Sequence, residues 1–391
     1  MRALILADRL FAVREHAMLS RLEIGLADEG VRVVHAIPRS AGRMEAAVGA
    51  DTSAGVFASS LTYSDAAIPF TLGLRAQSLL DQVRRRDGLD EDERAIDVVH
   101  ACGGSAWGLA LEIARREDAM AVLEVWRMGL VAKAASLRGH EGVVLLAPDT
   151  TIERALRSAL GTPAFGGSGG GGVAAAVAGG MGVEVGVWGV YAPAEVRTPL
   201  TGEVASVMVV GSGHDTASFA AAVAALAEVA KRHPTLLVFL DADAARRVRA
   251  WRIANQAGVL SQFSCIEHLE ARRDLLVAGD ILMLPEARGE QRTSLLEAMA
   301  SGMIVVAASD PGVSVLQNGF TARLIGEANR SAWESALTDV LSNPAEARRL
   351  SASAHAYIAQ HRRASAHVRA VLQVYGRSDL RIRPGPGAFQ A

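Results

Sequence analysis

The sequence predicts an α/β protein built on parallel sheets, and three observations lead there. Short apolar runs alternate with helix-forming stretches along most of the chain, the rhythm of strand-helix-strand units. Residues 279–312 hold one such unit without a gap: an apolar run at 281–284, a polar loop at 285–293, a helix former at 294–300 closed by Gly302, and a second apolar run at 304–308. The chain of 391 residues is long enough for two or three domains, each with its own core. In such sheets ligands sit at the carboxyl ends of strands, and the start of the following helix offers unpaired N–H groups that suit a phosphate.

Composition narrows the function classes. Half the residues are hydrophobic and 21% are charged, an ordinary balance for a water-soluble protein. The formal net charge of -2 gives no electrostatic case for nucleic acid. Cys102 and Cys265 stand far apart without metal-ligand spacing, so neither a disulfide framework nor a zinc site is expected. The N-terminus runs straight into a strand without the apolar core of a signal peptide, and no apolar run approaches membrane-spanning length. A reducing, cytoplasmic setting is expected.

The first strand is expected at 2–7, a loop at 8–15, and an amphipathic helix at 16–29 with Leu19, Leu22, Ile24 and Leu26 inward. Gly30 ends that helix and a second strand follows at 31–37. No G-x-G-x-x-G stands in this unit, so nothing supports a dinucleotide. One or two short strands are expected near 55–58 and a helix at 72–86. Arg84, Arg85 and Arg86, followed by Asp87 and Asp90 to Glu93, read most simply as a self-paired surface; an anionic-lipid patch is the minority reading. Strands follow at 96–101, 122–126 and 142–149, with Ser105 and then Thr150 or Thr151 as helix caps. The glycine-rich tract at 165–172 lacks the lysine of a Walker loop and reads as an insertion rather than a phosphate cradle. Beyond it come strands at 206–210 and 236–241, a helix at 248–257 and a short extended piece at 263–266. Helices at 333–341, 344–349 and 352–375 precede a tail at 376–391.

Residues 279–312 resemble the donor segment of glycosyltransferase family 4, retaining enzymes that use nucleotide sugars and have the GT-B fold. Gly279-Asp280, Pro285, Leu296-Glu297-Ala298-Met299-Ala300, Gly302 and Val305-Val306-Ala307 match in order. The family's "D-V-V-H-A-H" is matched by 97–101, with Cys102 at the second histidine, and its "D-G-x-T-G-x-L-V" resembles 319–325. The resemblance implies a GT-B protein: two Rossmann-like, doubly wound domains facing a cleft. An acceptor-side domain would span 1–195 and a donor domain 196–351. A helix at 352–375 would cross back onto the first domain.

The resemblance also implies site residues. Glu297 would bind the donor ribose hydroxyls, and the amides of Thr293, Ser294, Leu295 and Leu296 would meet the diphosphate, with Gly211 and Ser212 lining the same subsite. Three departures stand out. The family's glutamate eight residues before Glu297 is Gly289 here, with Glu290 beside it. The family's arginine after Gly211 is Ser212, and no lysine lies between Gly211 and Lys231. The usual glycine-rich first loop has no glycine at 9–16. Glu290 and Arg292 are therefore the expected catalytic substitutes, Arg292 as the cation for the departing diphosphate. Glu297 has a competing reading, because Ser294 and Glu297 also fit a capping box. On the acceptor side, Gly103 and Gly104 would let a ligand approach the backbone. Glu124 and Trp126 are either an edge glutamate and a packing tryptophan or part of the acceptor site.

Two main functions remain open at this point. One is an active glycosyltransferase, retaining, that passes a sugar to a glycan or lipid-linked acceptor. It would need no cofactor and no metal, and would meet at most a membrane surface peripherally. The other is a catalytically degenerate relative that binds a nucleotide, glycan or partner protein. A sugar-phosphate epimerase of the same fold is a third, with different motifs.

Overall fold

The computed structural model describes residues 1–41, 60–65, 70–90, 92–161 and 181–377. The strands expected near 55–58, the glycine-rich tract at 165–172 and the tail from 378 onward lie outside these residues. The chain forms two compact units, Met1–Val187 with Ser365–Ala391, and Trp188–Ala364.

Unit 1 contains β1 (Arg2–Ala7), α1 (Arg9–Arg14), α2 (His16–Asp28), β2 (Arg32–Pro38), β3 (Leu61–Tyr63), α3 (Leu72–Asp87), β4 (Val98–Cys102), α4 (Trp107–Glu117), β5 (Met120–Glu124), α5 (Val131–Ala135), β6 (Val143–Ala147), α6 (Thr150–Leu160) and β7 (Gly182–Val185). Its strands form one parallel sheet in the order β3-β2-β1-β4-β5-β6-β7. The central strands β4, β5 and β6 are buried at every residue, which is why they read as nearly continuous apolar runs rather than as alternation, broken by His100 in β4 and Glu124 at the end of β5.

Unit 2 contains β8 (Ala205–Val209), α7 (Thr216–Arg232), β9 (Leu236–Asp241), α8 (Ala242–Val248), α9 (Ala250–Gln256), β10 (Phe263–Ile266), α10 (Arg273–Val277), β11 (Ile281–Leu284), α11 (Thr293–Ala300), β12 (Ile304–Ala308), β13 (Arg323–Ile325), α12 (Arg330–Ser342) and α13 (Pro344–His361). Its sheet is parallel throughout, in the order β10-β9-β8-β11-β12-β13. Val207, Val238, Ile281 and Ile304 of the strands share a core with Phe219 and Leu226 of α7 and Trp333 and Leu337 of α12. The chain then returns to unit 1 through α14 (Ala364–Tyr375).

Several local expectations are corrected. The loop expected at 8–15 contains α1, capped by Asp8, whose carboxylate accepts from the Phe11 amide at 3.1 Å. Ile24 does not face inward: it is 53% exposed, because it lies half a turn away from Leu22 and Leu26. Asp149 caps α6 in place of Thr150 or Thr151, accepting from the amides of Thr151 and Ile152 at 3.0 Å each. The helix expected at 248–257 is two short helices that meet at Arg249, which has φ +54°. The single helix expected over 352–375 is also broken. At the break the Val190 amide donates to the Arg362 carbonyl at 2.8 Å, and the Ala364 amide donates to the Val190 carbonyl at 3.1 Å. A Cβ on Gly189 would lie 2.1 Å from the Arg363 carbonyl oxygen, so this backbone crossing needs a glycine.

Candidate donor site

The strand order of unit 2 fixes where a crevice opens. From β8 the chain moves outward to β9 and β10, then returns to β11 on the other side of β8 and continues to β12 and β13. The connections after β8 and β11 therefore leave in opposite senses, although the two strands are direct neighbours, with Ile281 opposite Val207. The loops at their carboxyl ends part at this switch point, the place where α/β sheets bind ligands.

Glu286 organises the loop after β8. Its buried carboxylate accepts from the Ser212 hydroxyl at 2.7 Å, the His214 amide at 3.3 Å and the Asp215 amide at 2.7 Å. Gly211 is needed for this closeness: it has φ +139°, and a Cβ there would sit 3.3 Å from Glu286 Cγ. Glu286 thus engages the hydroxyl of Ser212, which the resemblance places in the donor subsite. Asp215 caps α7 by accepting from the Ser218 amide. Its carboxyl lies below the ordinary carboxylate range, held there first by Ser218 donation, with a smaller pull from Arg288.

The loop after β11 leads into α11. That helix begins one residue before the expected cap, at Thr293, with Arg292 at the cap position and making no side-chain cap hydrogen bond. The capping box is therefore not formed, and the capping reading of Glu297 is corrected. The Ser294 hydroxyl donates to Glu270 Oε2 at 2.8 Å instead, and Glu297 pairs with Arg273 Nε at 3.1 Å. Arg273 also donates to the Thr293 hydroxyl at 2.9 Å. Thr293, Ser294, Leu295 and Leu296 are all buried at the start of the helix.

Arg292 and Glu290 come together, but in a different place from the one expected. The Arg292 guanidinium lies between two carboxylates: one nitrogen pairs with Glu270 and the other with Glu290 at 2.7 Å. Arg292 is only 2% exposed. Its guanidinium is thus engaged in holding the loop and the helix start together, rather than turned outward. Glu290 is equally committed, with its carboxylate buried against this arginine.

Sequence reasoning missed Arg288. It is the one exposed residue between 281 and 300, and its Nη1 lies 3.4 Å from the Ser212 hydroxyl. The signal was a polar loop with three charged neighbours, from which sequence alone could not pick the outward one.

Unit 1 has its own switch point, between β1 and β4. Here the two glycines do not leave the expected opening. A Cβ on Gly103 would fall 2.0 Å from Asp8 Cγ, and one on Gly104 would fall 2.6 Å from Leu130 Cδ2. The space that these glycines provide is filled by Asp8 and Leu130. Ser105 does not cap α4; its hydroxyl donates to Asp8 at 3.1 Å. Lys133, which no motif singles out, donates to the Gly104 carbonyl at 2.6 Å. Burial pulls its amine below the usual lysine range, while Asp8 pushes the other way.

Glu124 ends β5, an interior strand rather than an edge. Its carboxylate is fully buried, 3.4 Å from His100 Nε2, and His100 Nδ1 lies 2.8 Å from the Tyr375 hydroxyl on α14. Trp126 is 2% exposed and packs edge-on to Phe11 at 5.6 Å, with the Arg14 guanidinium 4.7 Å from its ring centre. Among the described residues no group of His, Cys, Asp or Glu is arranged to hold a metal ion. No helix among them is long and apolar enough to cross a membrane.

The fold is the two-unit α/β fold of GT-B glycosyltransferases. Residues 204–343, the part of unit 2 that contains the switch point, match the family model for glycosyl transferases group 1. No curated protein matches the chain by sequence. Among solved structures, the sucrose-phosphate synthase of Thermosynechococcus elongatus aligns over 96% of this chain and 98% of its own, with 13% identity and a TM-score of 0.68. HepE of Anabaena, solved with UDP and glucose, aligns over 96% of this chain and 99% of its own, with 12% identity and a TM-score of 0.68. A Listeria monocytogenes protein assigned as a UDP-N-acetylglucosamine 2-epimerase aligns over the whole of both chains, with 14% identity and a TM-score of 0.61.

Proposed function

We propose that the protein is a retaining glycosyltransferase that binds a nucleotide-diphosphate sugar at the switch point of unit 2 and passes the sugar to a glycan or lipid-linked acceptor. The observation that carries this reading is the start of α11. This helix starts at the carboxyl edge of a parallel sheet, after the strand that neighbours the one leading into the Gly211 loop, inside the segment matched to glycosyl transferases group 1. Such a helix end places partial positive charge where a diphosphate develops negative charge as its bond to the sugar breaks. Glu297 is the residue assigned to the ribose hydroxyls, with Arg273 orienting its carboxylate from the protein side. The UDP in the solved HepE structure supports a uridine nucleotide as the first donor to try. The enzyme in this reading works without a resident cofactor or metal.

One observation favours the second reading, a protein that binds the nucleotide sugar without transferring it. Both expected catalytic substitutes, Glu290 and Arg292, are buried against each other. The two readings separate in one experiment. The full-length protein is titrated with UDP-, GDP- and ADP-sugars, and donor breakdown and sugar transfer are followed by mass spectrometry. Binding with turnover supports the transferase. Binding without turnover to water or to glycan and lipid acceptors leaves the binding protein. Absence of binding by every member of the panel contradicts both.

A further inference from the structure

The resemblance assigns the diphosphate subsite an arginine and a lysine after the first strand of the donor domain, and this chain has neither there. Arg292, the nearest substitute in sequence, is sealed between Glu270 and Glu290. The hydroxyl of Ser212 and the amides of His214 and Asp215 are engaged by Glu286. A diphosphate at this switch point therefore needs a cation from elsewhere.

The structure supplies one. Arg288 stands in the loop after β11 with φ +56°, a left-handed conformation that side chains other than glycine seldom adopt. The effect of that twist is visible in its neighbours. Ala287, Gly289 and Glu290 are buried while Arg288 is exposed, so the twist turns one side chain outward from a loop that is otherwise packed. The outward side chain leans across the switch point, and its guanidinium reaches Ser212, the position where the resembling family has its arginine. A guanidinium can meet two phosphate oxygens with parallel bonds and stays charged at any working pH.

We propose that Arg288 binds the donor diphosphate, replacing from the loop after β11 the cations absent from the loop after β8. This inference rests on the donor-binding reading above and adds the residue that recognises the phosphates. Arg247 is the control. It is also exposed and also touches this loop, with its Nη1 2.7 Å from His214 Nδ1, but it approaches from α8 rather than from the switch point.

The test compares UDP with uridine, and GDP with guanosine, by titration calorimetry on the full-length protein. Wild type, Arg288→Ala, Arg288→Gly and Arg247→Ala are measured. Glycine suits the left-handed backbone, so Arg288→Gly removes the charge without straining the loop. The proposal expects wild type to hold the diphosphate at least tenfold more tightly than the nucleoside. Both Arg288 variants should weaken the diphosphate at least tenfold, leave the nucleoside unchanged and flatten the salt dependence, while Arg247→Ala should leave the preference in place. A diphosphate preference that survives both Arg288 variants overturns this inference and leaves the donor-binding reading intact. Wild type that binds neither nucleotide overturns both.

Discussion

Arg292 sits in the interior of unit 2 between two carboxylates, and its energetics follow from that position. An ion pair in a low-dielectric setting is costly to break from one side, because the remaining charge is stranded. Arg292→Ala leaves Glu270 and Glu290 facing each other without their cation, and should cost about 3–5 kcal/mol of stability. Adding Glu270→Gln to Arg292→Ala should recover part of that loss. Thermal melts of the single and double variants check this; a melting temperature unchanged in Arg292→Ala would contradict the buried-pair account. Glu297 behaves differently, since it stands in the second turn of α11 and pairs with Arg273. Glu297→Gln should weaken uridine and UDP by the same factor, at least tenfold, because the ribose is common to both. Titrations in which only UDP weakens would move Glu297 from the ribose to the phosphates. Neither residue's fate was legible in the sequence. Glu270 is 22 positions from Arg292, and Glu286 ties down a loop more than 70 positions away. Such pairings are made by folding and leave no local pattern.

The elements themselves were far more legible. Strands buried on both faces are mostly apolar, so β6, β11 and β12 announce themselves as uninterrupted runs. Helix ends were harder, because a cap is chosen by backbone geometry: Asp149 outcompetes the threonine beside it, and Ser294 is drawn away to Glu270. The break between α13 and α14 has no proline or glycine of its own to mark it. Its cause lies at Gly189, in a different part of the chain. α14 carries a pH-dependent device. His367 is buried, and burial first, then the nearby charge of His100 and Arg21, holds its pKa down at about 3. A lowered folded value means that the neutral imidazole contributes stability above the unfolded value of about 6.5, and that this contribution drains away as pH falls from there toward 3. The amount at stake is on the order of a few kcal/mol. His367→Leu should therefore flatten the decline of melting temperature between pH 6.5 and 4. A decline as steep as that of wild type would show that other groups set the acid limit.

At the scale of the whole molecule, the chain uses one device twice. Each unit reverses its strand order once, between β1 and β4 and between β8 and β11, and each reversal parts two loops. The two switch points are then finished in opposite ways. In unit 1, Asp8 and Leu130 fill the space beside the paired glycines. In unit 2, Glu286 secures one loop while Arg288 projects from the other. The matched family segment lies on unit 2, and so does the outward cation. The central claim is that this second switch point holds the diphosphate of a nucleotide sugar. The most direct measurement is an experimental structure of the full-length protein soaked with UDP or a UDP-sugar. The account predicts density for a diphosphate between Arg288 and the amides that open α11, with the ribose at Glu297. Nucleotide bound away from these residues, at concentrations that saturate the protein in solution, would contradict it.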